Sequence, residues 1–398
     1  VFPVLENVVI VGGGLAAHRA VVAARAGGFG ATITVIAAEQ HMPYDRPPLS
    51  KQLLGPAEDV ARHFYSCDDL ADVDWRLGDP AVSLDTANRT VQTAAGRPVH
   101  YDGLVIATGK RARPWPTPLA AHCVHTIRDL DDTLTLRDEV TPQSRVVIIG
   151  GGFIGCEAAS SLLDLGVRDV TVVEMLPRPM AVLGSEVGDV ALEILQSSGV
   201  RCRFGVGVQS VHGGTAVAVL TLSTGEQIPA DLLLVSIGSI PNTGWLAASG
   251  LELRNGHVVC DEYCFAGGDT RIVAAGDVAA WRHPFVGTVA IEHWAVARDM
   301  GATAATNLLF PETKTTMATV PTFWSDQFGV KIKSAGFVSL ADRISIVERD
   351  PVKNSLVAEA FRDGELIGAI VFNRNRAIIT YQRSIAEKID AARIERVG

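Results

Sequence analysis

An α/β chain with two doubly wound, nucleotide-binding units and a C-terminal α+β domain is predicted by three features of the sequence. A β-branched run, Asn7 to Val11, ends in three glycines and leads into an alanine-rich stretch that reaches Arg25. The same order returns at Arg145 to Ile149, where Gly150, Gly151, Gly152 and Gly155 open a second stretch of small residues. After Pro321 the pattern changes to short alternating strands, such as Arg343 to Val347 and Leu366 to Phe372, with turns at Asp363-Gly364 and Asn373 to Asn375.

Each unit is read element by element. Strand, glycine turn and helix are followed in the first unit by a strand at Ala31 to Ala37, with Glu39 just beyond it. In the second, the strand is Asp169 to Val173 and the acid is Glu174. Such a βαβ unit builds a parallel sheet. Between the two, Leu104 to Ala107 reads as a buried strand ending at Thr108-Gly109, and Pro114, Pro116 and Pro118 read as a linker. A matching strand at Leu232 to Gly238, with Pro241 behind it, marks the return crossing.

The spacing carries chemistry. In Gly12-x-Gly14-x-x-Ala17 one glycine permits the tight turn, another lets backbone approach a pyrophosphate, and the third small residue lets helix and strand pack closely. The helix amino terminus then faces the phosphates. Glu39 lies 22 residues after Ala17, close to the spacing of roughly 20 for an acid that holds a ribose. Gly150-x-Gly152-x-x-Gly155 repeats the arrangement, with Glu174 19 residues on. A carboxylate there accepts from a free 2′-hydroxyl and repels a 2′-phosphate, which favours NADH over NADPH; Arg178 lies near enough to moderate this.

Composition excludes some classes. A net charge of −9 argues against a nucleic-acid partner, and no apolar run approaches the roughly 18 residues that span a bilayer. The first strand begins near Asn7, leaving no room for a signal peptide, so a cytoplasmic protein is expected. Residues 319–398 hold 12 Lys or Arg against 10 Asp or Glu, a net +2, which leaves −11 on 1–318. The six cysteines show no CxxC spacing, and Cys260 and Cys264 are read as unpaired. No residue of the three domains is expected to hold a metal.

Taken with Tyr44 to Lys51 (YDRPPLSK), Ala107-Thr108-Gly109 and Ala275-Gly276-Asp277, the two fingerprints resemble the two-dinucleotide-binding flavoproteins of glutathione-reductase-like fold. More narrowly, Gly150 to Glu157 (GGGFIGCE), Arg282-His283-Pro284, Glu292-His293-Trp294 and Val320 to Gln327 (VPTFWSDQ) resemble the NADH-dependent ferredoxin reductases of Rieske oxygenase and bacterial P450 systems. Disulfide reductases of the wider family carry cysteines on the first helix segment. This chain has none from residue 1 to 66, so thiol chemistry there is excluded.

The resemblance implies an FAD-binding domain at 1–112 and 240–318, an NADH-binding domain at 113–239 and a C-terminal domain at 319–398. It places Gly12, Gly14, Leu15, Ala16, Ala17, Glu39, Arg46, Lys51, Val82, Thr108, Gly109, Arg128, Asp277, Trp294 and Trp324 around FAD. Gly150, Gly152, Ile154, Gly155, Glu157, Glu174, Gly238 and Glu292 would contact NADH. It gives catalytic parts to Lys51 and Glu157, an ion pair near the flavin that stabilises its reduced form, and to Trp324, packed on the flavin near the carrier's dock.

The implied reaction moves hydride from NADH to FAD and electrons singly to a [2Fe-2S] ferredoxin, which feeds an oxygenase or P450. No iron–sulfur cysteine set stands in this chain, so the cluster belongs to a separate protein, steered to the net positive C-terminal domain. Where relatives have an asparagine, a glutamine and an arginine, this chain has Val296, Met300 and Val182, positions that bear on nicotinamide placement. A rubredoxin reductase and an NADH oxidase are alternatives within enzymes. A flavin-bearing interaction protein like apoptosis-inducing factor would need long insertions and basic patches that this chain lacks.

Overall fold

The computed structural model describes residues 5–55, 58–116, 123–213 and 217–397, without the side chains of 395–397. Pro118 of the expected linker lies outside the described residues. The first stretch of chain forms β1 (Asn7–Val11), α1 (Leu15–Ala26), β2 (Thr32–Ile36), β3 (Asp74–Arg76), β4 (Ala81–Asp85), β5 (Thr90–Thr93), β6 (Pro98–His100), β7 (Gly103–Ile106) and β8 (Lys110–Ala112). β1 pairs in parallel with β2 and β7, so that Val9 stands opposite Thr34 and Leu104. Val8 to Val11 are buried on both faces, as the unbroken apolar run requires.

The second stretch forms β9 (Val124–His125), α2 (Leu130–Glu139), β10 (Arg145–Ile149), α3 (Phe153–Asp164), β11 (Asp169–Glu174), α4 (Ser185–Ser197), β12 (Arg201–Phe204), β13 (Val208–Gly213), β14 (Ala218–Leu222), β15 (Gln227–Ala230) and β16 (Leu232–Val235). The parallel sheet runs β12-β11-β10-β16-β9, with β13-β14-β15 a separate antiparallel sheet. The chain then returns through β17 (Ser239–Pro241), β18 (Leu253–Arg254), β19 (His257–Cys260), β20 (Ile272–Ala274), β21 (Ala279–His283), β22 (Gly287–Val289) and α5 (Trp294–Leu309). β17 pairs antiparallel with β8, so the outward and return crossings form one two-stranded ribbon. β20 joins the first sheet beside β7, completing the order β20-β7-β1-β2-β3.

Helix α5 lies on α1 because Gly301 has no side chain: a Cβ there would stand 2.3 Å from the Ala16 carbonyl oxygen. Val296 and Met300 share this packing and are fully buried in the core. The C-terminal sheet contains β23 (Thr322–Gln327), β24 (Val330–Gly336), β25 (Arg343–Asp350), β26 (Ser355–Arg362) and β27 (Glu365–Phe372), followed by α6 (Asn375–Val397). It is antiparallel in the order β23-β24-β27-β26-β25, which makes this an α+β unit packed on two α/β ones. Two details differ from the sequence reading. The strand from Arg343 runs on to Asp350, and the turn after β27 ends before Asn375, which is the first residue of α6.

Candidate functional site

One cavity of about 1070 Å³ runs from the first glycine turn to the second and reaches the C-terminal sheet. Its floor depends on two unusual backbones. Gly12 has φ +129°, and a Cβ there would lie 2.1 Å from the Ala107 carbonyl oxygen; Gly150 has φ +110° and would meet the Ser236 oxygen at 2.0 Å. Each turn is thus pressed against the loop after the neighbouring strand, a distance only glycine allows. Gly155 serves the helix side, where a Cβ would strike the Gly150 oxygen at 2.1 Å, and Ala17 fills the matching place in α1 with no exposed surface.

Both helices start without a cap. α1 has Gly14 and α3 has Gly152 at the N-cap, neither supplies a side-chain bond, and no acid stands in either first turn. The first bonds within the helices run from His18 N to the Gly14 oxygen and from Cys156 N to the Gly152 oxygen. The N–H groups of the first three residues in each helix therefore have no partner within it, and the dipole adds partial positive charge. A Cβ at Gly152 would meet nothing within 4 Å, and at Gly14 only Arg46 at 3.9 Å. Two anion cradles open on one cavity, which fits two dinucleotides.

The acids expected beyond the strands are both fixed, in different ways. Tyr44 donates to Glu39 Oε2 at 2.5 Å and the Arg46 guanidinium pairs with Oε1, while Arg46 also reaches the Arg128 carbonyl at 2.7 Å. Burial, with the Glu39 charge nearby, pushes the Tyr44 phenol well up and keeps it a donor. Glu174 is bound by backbone: Gly151 N donates to Oε2 at 2.7 Å and Leu176 N to Oε1 at 2.8 Å. It does not itself line the cavity. Arg178 nearby is engaged by Asp189 at 2.5 Å.

Where the three parts of the chain meet, polar groups stand in pairs. Lys51 Nζ lies 2.8 Å from Glu157 Oε2, with side-chain exposures of 11% and 6%. Asp277 faces Arg128 at 3.4 Å, and burial raises its carboxyl against the opposing charge of Arg128. Glu292 accepts from Lys110 at 2.6 Å and from Ser239 at 2.8 Å. Burial pushes the Glu292 carboxyl up, but the Lys110 bond and charge outweigh this and leave it below the usual range. His293, next in the chain, is held down to about 4 by burial, against the charge of Glu292.

Aromatic rings close the far side. Trp324 is 37% exposed, and its ring stands edge-on to Trp294 at 5.9 Å. Trp294 donates to Asp45 at 2.7 Å, an acceptor it shares with Tyr65, and carries the Arg298 guanidinium 5.4 Å above its ring. Phe153, Phe323 and His293 form a second stack, with ring centres 4.6 and 5.3 Å apart.

Of the residues expected from sequence, Gly12, Gly14, Leu15, Ala16, Glu39, Arg46, Lys51, Thr108, Gly109 and Arg128 line this one cavity. So do Gly152, Ile154, Glu157, Gly238, Asp277, Glu292, Trp294 and Trp324. Ala17, Gly150 and Gly155 stand behind the lining and shape it. Val82 does not line this cavity: it stands at an irregularity in the β4–β5 register with 53% exposure, beside Pro80 and Ala81, which do line it. Val296 and Met300 lie in the core and do not reach the cavity, whereas Val182 does. Tyr44, Ser50, Lys110 and Ser239 also line the cavity and Ser325 meets Glu157, none of them carrying a spacing signal, although Tyr44, Ser50 and Ser325 belong to the YDRPPLSK and VPTFWSDQ segments. None of the six cysteines, all free, lines the cavity. Among the described residues no cluster could hold a metal, and no helix is long and apolar enough to cross a membrane.

Residues 6–301 match the pyridine nucleotide-disulphide oxidoreductase family, and residues 322–395 match the reductase C-terminal family. The chain is 36% identical to rhodocoxin reductase of Rhodococcus erythropolis over 344 residues, covering 84% of this chain and 79% of that one. It is 31% identical to the ferredoxin–NAD(+) reductase component of the biphenyl dioxygenase system of Paraburkholderia xenovorans, covering 99% and 97%. The structure resembles the reductase in the covalent putidaredoxin reductase–putidaredoxin complex, with a TM-score of 0.91, 26% identity and coverage of 97% and 94%.

Proposed function

The chain belongs to the pyridine nucleotide-disulphide oxidoreductase family, and from that premise we propose that it is an FAD-bearing, NADH-dependent reductase of a [2Fe-2S] ferredoxin serving an oxygenase or P450. Its relatives are ferredoxin and rubredoxin reductases, and the family implies FAD with an NAD(P)H substrate. The observation that carries the proposal is the single cavity onto which two uncapped helices open and which no cysteine lines. Electrons then enter from one nucleotide, pass to the other, and leave without a thiol.

When bound, FAD supplies the acceptance of an electron pair and its release as single electrons, which suits an iron–sulfur carrier. The α1 terminus, Glu39, Arg46 and Asp277 would hold FAD, and the α3 terminus with Ile154, Glu174 and Gly238 would hold NADH. Glu174 accepts from the Gly151 and Leu176 N–H groups, and a carboxylate fixed there would repel a 2′-phosphate. Arg178 cannot offset that charge while Asp189 engages it. Lys51 brings a cation to the flavin, and Glu157 fixes it. Trp294 and Trp324 exclude water on the side that remains partly exposed, where the carrier docks.

The experiment is an anaerobic NADH titration of the FAD-loaded protein, followed by mixing with a [2Fe-2S] ferredoxin, a rubredoxin or oxygen. Fast reoxidation by the ferredoxin supports the proposal. Fast oxygen consumption with no carrier makes the protein an NADH oxidase instead, and a preference for rubredoxin makes it a rubredoxin reductase.

A further inference from the structure

Glu157 is bound by two other parts of the chain. Ser50 Oγ donates to its Oε2 at 2.5 Å, beside Lys51 Nζ at 2.8 Å, and Ser325 Oγ approaches Oε1 at 2.5 Å. Ser50 and Lys51 follow the first glycine unit, Glu157 lies on α3 of the second, and Ser325 comes from β23 of the C-terminal sheet. All are withdrawn from solvent: Glu157 is 5% exposed, Ser50 5%, Ser325 1% and Gln327 4%.

Gln327 fixes the direction of the Ser325 bond. Its Nε2 lies 3.4 Å from Met180 Sδ, which can only accept, so the amide is turned with its NH₂ toward Met180. The same NH₂ donates to Ser325 Oγ at 2.9 Å. With that oxygen already accepting, the hydroxyl hydrogen of Ser325 points to Glu157, whose two oxygens both accept. Strand alternation does the rest. β23 leaves Trp324 on its exposed face and puts Ser325 and Gln327 on its buried face, where Ser325 meets Glu157.

We infer that Ser325, oriented by Gln327, is the positioning residue that holds the Glu157 carboxylate and, through it, the Lys51 ammonium at the cavity wall. The inference rests on the reading of this cavity as the flavin and nicotinamide site. It assigns the C-terminal domain a part in electron entry as well as in docking: the strand that carries Trp324 also sets the cation on the opposite wall. Without the Ser325 hydroxyl, Oε1 has no donor and the carboxylate can turn about its remaining Oε2 bonds to Ser50 and Lys51, which loosens the Lys51 ammonium although the Pro47 carbonyl still accepts from it at 3.1 Å.

The test uses full-length Ser325→Ala and Ser325→Thr in two states. In FAD-free protein, acetylation of Lys51 by a water-soluble ester is followed by mass spectrometry, with Lys110 as internal reference because it too is withdrawn from solvent, 6% exposed against 11%, and is paired with Glu292. Ser325→Ala is expected to speed Lys51 labelling at least fivefold, leave Lys110 unchanged, and be rescued by Ser325→Thr. In FAD-loaded protein, Ser325→Ala slows reduction by NADH roughly tenfold, with KM for NADH within twofold, and shifts the flavin midpoint potential negative. Wild-type labelling of Lys51 in Ser325→Ala, or equal rises at Lys51 and Lys110, overturns the inference. Failure of the reading beneath it looks different: the wild-type protein then takes up no FAD or is not reduced by NADH.

Discussion

Lys51 Nζ and Glu157 Oε2 stand 2.8 Å apart across the boundary between the two nucleotide-binding units, almost wholly out of solvent. A buried pair of this kind is a poor source of stability, because two charges give up their hydration to form it. Its place on the cavity wall gives it another purpose: a cation held there favours negative charge on whatever the cavity binds. Lys51→Met is therefore expected to retain FAD and slow its reduction by NADH about tenfold to a hundredfold, with little change in KM, by stopped-flow absorbance. An unchanged rate would remove Lys51 from the mechanism.

The two glycine turns separate the two nucleotides. Gly150→Ala forces a Cβ to within 2.0 Å of the Ser236 oxygen and strains a φ of +110°, so the second turn must move. The expected protein keeps its FAD, measured by absorbance, but binds NADH at least tenfold more weakly. Gly12→Ala makes the same clash against Ala107 and is expected to lose FAD, with a stability cost of about 3 kcal/mol or more.

How much of this was legible from sequence depends on the range of the interaction. The strands, the glycine turns and the acids Glu39 and Glu174 are local in the chain, and their spacing alone placed them. The pairs that assemble the junction are not local: Ser50 and Ser325 meet Glu157 from 107 and 168 residues away, and Lys110 meets Glu292 from 182. Serine hydroxyls carry no periodic signal, so nothing set these two apart from other serines. The facing of Val82 was not legible either, because it depends on a register irregularity between β4 and β5 that the local pattern does not reveal.

Nucleotide preference turns on Glu174, Arg178 and Asp189. Asp189→Ala releases the Arg178 guanidinium, now held at 2.5 Å, and is expected to raise kcat/KM for NADPH about fivefold while leaving NADH within twofold. Glu174→Ala removes the acceptor of the Gly151 and Leu176 N–H groups and should raise KM for NADH about tenfold. Steady-state kinetics with both nucleotides decides each case.

His293 supplies a pH dependence with a defined sign. Burial holds it down to about 4, against about 6.5 for a free imidazole. Between these values the unfolded chain binds a proton that the folded chain excludes, so stability is intact above pH 6.5 and declines as pH falls toward 4. The loss is at most about 3 to 4 kcal/mol. Denaturant unfolding at pH 7 and pH 4.5 should show a smaller loss in His293→Gln than in the parent; equal losses would mean that His293 is protonated without penalty.

The central claim, electron entry from NADH and exit to a separate one-electron carrier, is tested most directly by double-mixing stopped-flow. FAD-loaded protein is first bleached by one equivalent of NADH without oxygen, then mixed with oxidised [2Fe-2S] ferredoxin or with air-saturated buffer. The account predicts rapid return of the flavin absorbance with ferredoxin, matched by two equivalents of ferredoxin reduced, and slow return with air. Rapid return with air and none with ferredoxin would contradict it.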